Sequence, residues 1–79
     1  MNNLEKYNNA FITTLGVSED SLESLNYQDV TEWDSVGHMG LVAEIEDAFD
    51  IMLETDDIID FSSYNKGKEI LREKYNIEI

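Results

Sequence analysis

A hydroxyl, an imidazole and a carboxylate fall within one helical turn at Ser35, His38 and Asp34, and His38 is the only histidine in the chain. Side chains three apart on a helix are neighbours, so those of Ser35 and His38 could approach each other. A serine nucleophile also needs an acid that orients its base from the far side of the ring. Asp34 precedes the serine and does not reach around His38. The strained elbow of serine hydrolases wants a glycine two residues before the serine and another two after it. Gly37 supplies the second, but Trp33 stands where the first belongs. Hydrolysis is a poor fit, and His38 reads more simply as a half-exposed helix residue. Metal chemistry fits no better. One histidine and no cysteine make no zinc site. Neither Asp47–Asp50 nor Asp56–Asp60 supplies the alternate oxygen ligands, central glycine and closing glutamate of a calcium loop. No catalytic or metal-ligating set is expected.

What Asp34-Ser35 does suit is a phosphate. One of the two caps the helix that the following apolar run predicts. A phosphoester on Ser35 would meet unpaired backbone N–H groups and the positive end of the helix dipole. Ser35 is the candidate bearer of a phosphate-linked group.

The elements that must position it are helical. Leu4, Tyr7, Phe11, Ile12 and Leu15 predict a helix over 3–15, with Asn2 or Asn3 as its cap and Gly16 as its left-handed stop. Residues 17–33 lose the period and read as a long loop with one short helical turn, pinned by Leu22, Leu25, Tyr27, Val30 and Trp33. The strongest helix runs over 35–50. Its stripe is Val36, Met39, Val42, Ile45 and Phe49, widened by Leu41, Ala48 and Met52. Gly37 and Gly40 each cost that helix about 1 kcal/mol against Ala, so packing must compensate or something must approach the backbone closely. Thr55-Asp56-Asp57 predicts a capped, acidic start to a short helix, and a last helix covers 63–75. In that helix Lys66, Lys68, Arg72 and Lys74 partly complement the dipole. The expectation is one all-α domain over 1–79: a four-helix bundle with a long first loop and a short third helix.

Composition bounds the function. A chain of 79 residues leaves little room for a deep catalytic cleft. Its net charge is −13, and positions 7–65 carry 14 carboxylates and no Lys or Arg. That surface repels phosphate backbones and anionic lipid, which argues against nucleic-acid and membrane partners. It attracts basic docking patches at a salt-sensitive rate. No apolar run is long enough to span a bilayer and the first residues lack a secretory pattern, so a soluble cytoplasmic protein is expected.

The run from Glu32 to Val42, Glu-Trp-Asp-Ser-Val-Gly-His-Met-Gly-Leu-Val, followed by Glu44-Ile45-Glu46-Asp47-Ala48-Phe49-Asp50-Ile51, resembles the modification site and second helix of acyl carrier proteins. Length, acidity, the long first loop and the short third helix extend the resemblance over most of the chain. It implies that a phosphopantetheinyl transferase moves the 4′-phosphopantetheine arm of coenzyme A onto Ser35. The arm's thiol would then hold acyl groups as thioesters for partner enzymes, and the absence of cysteine leaves no competing thiol. The resemblance also implies a docking surface on Asp34, Val36, Glu46, Asp47 and Asp56 for acyl-loading and acyl-transferring enzymes. It implies an acyl pocket among Leu41, Ile45, Ile58, Phe61 and Ile70, although for those five residues a core role is the simpler reading. The protein would be a monomer and not itself an enzyme.

The chain departs from the carriers of fatty acid synthesis. Those usually carry acids where Gly37 and Gly40 stand, and a proline near Glu54. The Trp33–Met39 stretch looks more like stand-alone carriers of specialised pathways, such as polysaccharide modification or secondary metabolism. The alternative from a different class is an acidic interaction module that binds a basic partner without covalent modification.

Overall fold

The first helix forms where the stripe places it because both its ends are chemically closed. In the computed structural model, which describes residues 1–79, α1 spans Asn3–Leu15. The Asn2 side chain accepts from the Glu5 N–H at 2.8 Å, and the Glu5 carboxylate accepts from the Asn2 N–H at 3.3 Å. Two otherwise orphaned donors are thereby satisfied reciprocally. Gly16, at φ 67°, ends the helix in the left-handed region that a Cβ disfavours.

A 3-10 helix follows over Glu19–Ser24, then α2 over Ser35–Phe49, α3 over Thr55–Asp60 and α4 over Tyr64–Lys74. There are no strands, only an isolated bridge between Asn26 and Ser63. Two backbone bonds make it: Tyr27 N–H to Ser62 at 2.9 Å and Tyr64 N–H to Leu25 at 3.0 Å. They fasten the long first loop to the start of α4.

α1 and α2 pack antiparallel. Thr14, near the end of α1, lies against Gly40, while Lys6, near its start, sits 5.9 Å above the Phe49 ring. α1 therefore ends level with Gly40, and the first turn of α2 projects beyond it. This explains where the expected apolar stripe fails. Val42 and Ile45 are buried, with Leu41, but Val36 is 81% exposed and Met39 54%. Met52, in the connection after α2, and Leu4, at the start of α1, are likewise exposed.

A cluster of aromatic rings sits among the buried Leu, Ile and Val side chains of the interior. Phe11 packs edge-on against Tyr7, Trp33 and Tyr64, with centroids 5.0, 5.4 and 5.3 Å away. Each such pair contributes about 0.5–1.5 kcal/mol beyond the area it buries. The buried Tyr7 hydroxyl donates to the Tyr64 carbonyl at 2.6 Å, and the Tyr64 hydroxyl donates to Asn8. Burial pushes the Tyr7 phenol well above its ordinary pKa.

The short α3 is held differently from expectation. Its cap is Glu54, which makes no side-chain capping bond, and Thr55 is the first helical residue instead. Asp57 does not advertise its charge at the helix start. It is 3% exposed and accepts from Lys74 at 2.6 Å and from the Tyr75 hydroxyl at 2.5 Å. The same hydroxyl accepts from the Glu54 N–H at 2.9 Å. Lys74 thus ties α3 to the end of α4 rather than merely complementing a dipole. The bonds from Lys74, then from Tyr75, hold the Asp57 carboxyl below the usual carboxylate range.

Candidate functional site around Ser35

The chain enters α2 from a fixed point. Trp33 is fully buried, and its backbone is bonded to Val30 and Gln28 at 3.1 Å each. At the next residue the chain surfaces. Asp34 is the N-cap, in extended conformation, with its carboxylate accepting from the Gly37 N–H at 2.8 Å and its carbonyl from the His38 N–H at 2.8 Å. Ser35 is the first helical residue and is exposed, and its hydroxyl makes no hydrogen bond within the protein. The N–H groups of Ser35 and Val36 also have no protein acceptor, as befits a helix start.

Gly37 has a steric reason. A Cβ there would overlap the carbonyl oxygen of Glu32, so the approach to the helix passes directly over its first turn. This is the close backbone approach that the glycine's cost requires. Gly40 meets only the Thr14 methyl, at ordinary contact distance of 3.4 Å from a Cβ.

His38 has more structure around it than a half-exposed helix residue needs. The Trp33 indole N–H donates to its Nδ1 at 2.9 Å, and its Nε2 lies 2.8 Å from the Ile58 carbonyl. An indole can only donate and a carbonyl can only accept. The ring is therefore neutral, with its proton on Nε2. Its two nitrogens join α2 to the loop before it and to α3. Neither is left to take a proton from Ser35, so the Asp34–Ser35–His38 group is not arranged for nucleophilic catalysis. Nor do three His, Asp or Glu side chains come together where they could hold a metal ion.

The expected docking residues divide. Asp34 is exposed but committed to its cap, while Val36, Asp47 and Asp56 are exposed. Glu46 is half-buried, and its carboxylate accepts from the Leu53 N–H at 2.8 Å, which shapes the chain after α2. Of the five expected pocket residues, Leu41, Ile45 and Phe61 are wholly buried and Ile70 nearly so. Only Ile58 and Phe61 line a cavity in common, together with Tyr27, His38, Ile59 and Ser62. Tyr27 was expected only as an anchor of the loop, and nothing local marks Ser62 as its neighbour, because the backbone pairing that brings them together leaves no local pattern. Asp57 escaped it because an acid at a helix start has a sufficient local explanation.

The site fits a phosphate-linked arm on three counts: an exposed hydroxyl, two adjacent N–H groups without acceptors, and a cap already made by another residue. No helix in the structure is long and apolar enough to cross a membrane. No protein-family model matches the chain, and no curated protein sequence does.

Proposed function

We propose that the chain is an acyl-carrier-type protein with a four-helix bundle fold, bearing 4′-phosphopantetheine on Ser35. The observation that carries this reading is the division of labour at the start of α2. Asp34 makes the cap, which leaves the Ser35 hydroxyl exposed and unused. In the transfer, the Ser35 oxygen would bond to the phosphorus of coenzyme A's pyrophosphate that carries the pantetheine. Adenosine 3′,5′-bisphosphate leaves and the serine proton passes to a base of the transferase. The arm's thiol supplies the thioester chemistry. The protein's own residues present the serine, hold the helix start rigid through Trp33 and Gly37, and display a surface to partner enzymes.

That surface combines exposed Val36 and Met39 with exposed carboxylates and suits a partner with an apolar contact inside a basic rim. The class of pathway is proposed as fatty acid or specialised biosynthesis, with Gly37 and Gly40 favouring the second. Asp47→Lys is expected to slow arm transfer several-fold at low salt and to flatten its salt dependence, since rim charges act mainly on association. Unchanged kinetics would remove Asp47 from the docking surface. Asp47 is a cleaner choice than Glu46, whose replacement also breaks the bond to Leu53. A basic partner that binds as tightly to Ser35→Ala, with no arm ever attached, would favour the interaction-module alternative.

A further inference from the structure

The chain holds one tryptophan and one histidine, on either side of Ser35, and the fold joins their side chains. The His38 ring is fixed from three sides. It stacks beside Trp33 at a centroid distance of 6.1 Å and meets Tyr27 and Phe61 edge-on at 5.4 and 5.8 Å. Its two nitrogens do unlike work. Nδ1 accepts from the Trp33 indole at 2.9 Å, and Nε2 donates to the Ile58 carbonyl at 2.8 Å. The first bond leads toward Ser35 and the second to α3.

The Trp33 side is the consequential one. Trp33 is fully buried, so its indole N–H has no water to turn to if His38 lets go. One residue separates it from Ser35, and its backbone closes the turn with Gln28 and Val30 through two bonds of 3.1 Å. The Glu32 carbonyl beside it lies over Gly37. A shift of the indole is therefore passed to the segment that enters α2.

We propose that His38 is a positioning residue for arm transfer to Ser35, acting through Trp33, and that only its neutral form fills the role. The inference rests on the carrier reading of Ser35. A second ring proton would sit on Nδ1 and face the indole N–H, donor against donor. That bond is lost, while the Nε2–H bond to Ile58 survives and gains from the charge. Acid thus loosens the approach to Ser35 without detaching α3. No carboxylate pairs with the ring to offset this: the ion pairs of the protein are Lys66–Glu69 and Lys74–Asp57. The titratable group facing His38 from the first loop is Tyr27, and α3 presents the Ile58 carbonyl. Asp29, Asp34 and Asp57 are bonded to Asn26, Gly37 and the Lys74–Tyr75 pair, and Glu32, Asp56 and Asp60 are exposed.

The test measures initial rates of arm transfer from coenzyme A by one broad-specificity transferase, from about pH 8 to about pH 5, where histidine changes charge. Wild type is compared with His38→Asn and His38→Gln, and ratios between variants cancel the transferase's own pH dependence. The Asn amide oxygen stands near the place of Nδ1 and accepts from the indole at every pH. The Gln amide reaches Ile58 instead and leaves the indole unpaired. At about pH 8, His38→Asn should match the wild type, and His38→Gln should be about two- to tenfold slower, the effect of one net hydrogen bond. As pH falls, wild type should lose the same factor relative to His38→Asn, while the ratio of the two variants stays constant. The indole N–H resonance of the single tryptophan reports the bond without any transferase and should move upfield in step with the wild-type loss. Equal rates for the two variants, a pH-independent ratio of wild type to His38→Asn, or a fixed indole resonance would each overturn the inference and leave the carrier reading standing. If His38→Gln fails to fold, the wild-type ratio and the resonance decide. No arm on the folded wild type at any pH would refute the carrier reading, and the role of His38 in transfer with it.

Discussion

α2 and α4 both start at a serine, and the two serines do opposite things. Ser63 is the cap of α4: it stands outside the helix in extended conformation, and its hydroxyl accepts from the Lys66 N–H at 2.9 Å. Ser35 is one position further in, because Asp34 has taken the capping role. The start of α4 is also tied to the loop through Leu25, and its end is tied to α3 through Lys74, Tyr75 and Asp57. The start of α2 projects past the end of α1 with Ser35, Val36 and Met39 in the open. The Ser63 hydroxyl is committed to its helix, and the Ser35 hydroxyl is not. The same residue type is structural at one helix start and available at the other, and the preceding residue makes the difference.

The contrast can be broken most forcefully at the tied end. Asp57→Asn removes the charge that Lys74 and Tyr75 share and should cost about 1–3 kcal/mol of unfolding free energy in urea at neutral pH. The pH dependence has a definite sign. The Asp57 carboxyl is held below its ordinary pKa, so its contribution is complete above the unfolded value and is lost as pH falls through the folded one. The gap between wild type and Asp57→Asn should therefore persist through mildly acidic pH and close only below the usual carboxylate range. A gap that closed near neutrality would place the stabilisation elsewhere.

The caps come next. Ser63→Ala and Asp34→Ala should each destabilise by about 1 kcal/mol, as lost N-caps do. Smallest is Ser35→Ala, which should stay within about 0.5 kcal/mol of wild type, as expected for an exposed position with no bond to lose. Thermal or urea unfolding of the three variants side by side checks the ordering. If Ser35→Ala were as costly as Ser63→Ala, the division of labour at α2 would be wrong.

Much of this was legible in the sequence because it is local. The Asn2–Glu5 capping box, the Gly16 stop, the limits of α1 and the short third helix all follow from residues within a few positions of one another. The cost of Gly37 and Gly40 left either packing or a close approach as its reason, and only the structure shows that Glu32 makes such an approach at Gly37 and that nothing does at Gly40. What stayed hidden depends on partners far along the chain. Whether the stripe of α2 is buried depends on where α1 ends, so Val36, Met39 and Met52 could not be told from Val42 and Ile45 by period alone. Asp57 needs Lys74 and Tyr75, His38 needs Ile58, and the cavity needs Tyr27 beside Ser62. At the candidate site, the type and context of Ser35 single it out in the sequence, while the cap made by Asp34, which leaves its hydroxyl unbonded, is visible only in the structure.

The most direct test of the central claim is the intact mass of the protein after incubation with coenzyme A and a broad-specificity phosphopantetheinyl transferase, with Ser35→Ala and Ser63→Ala in parallel. A single added arm is expected on the wild type and on Ser63→Ala, and none on Ser35→Ala. No addition to the folded wild type, or an addition that survives Ser35→Ala, would contradict it.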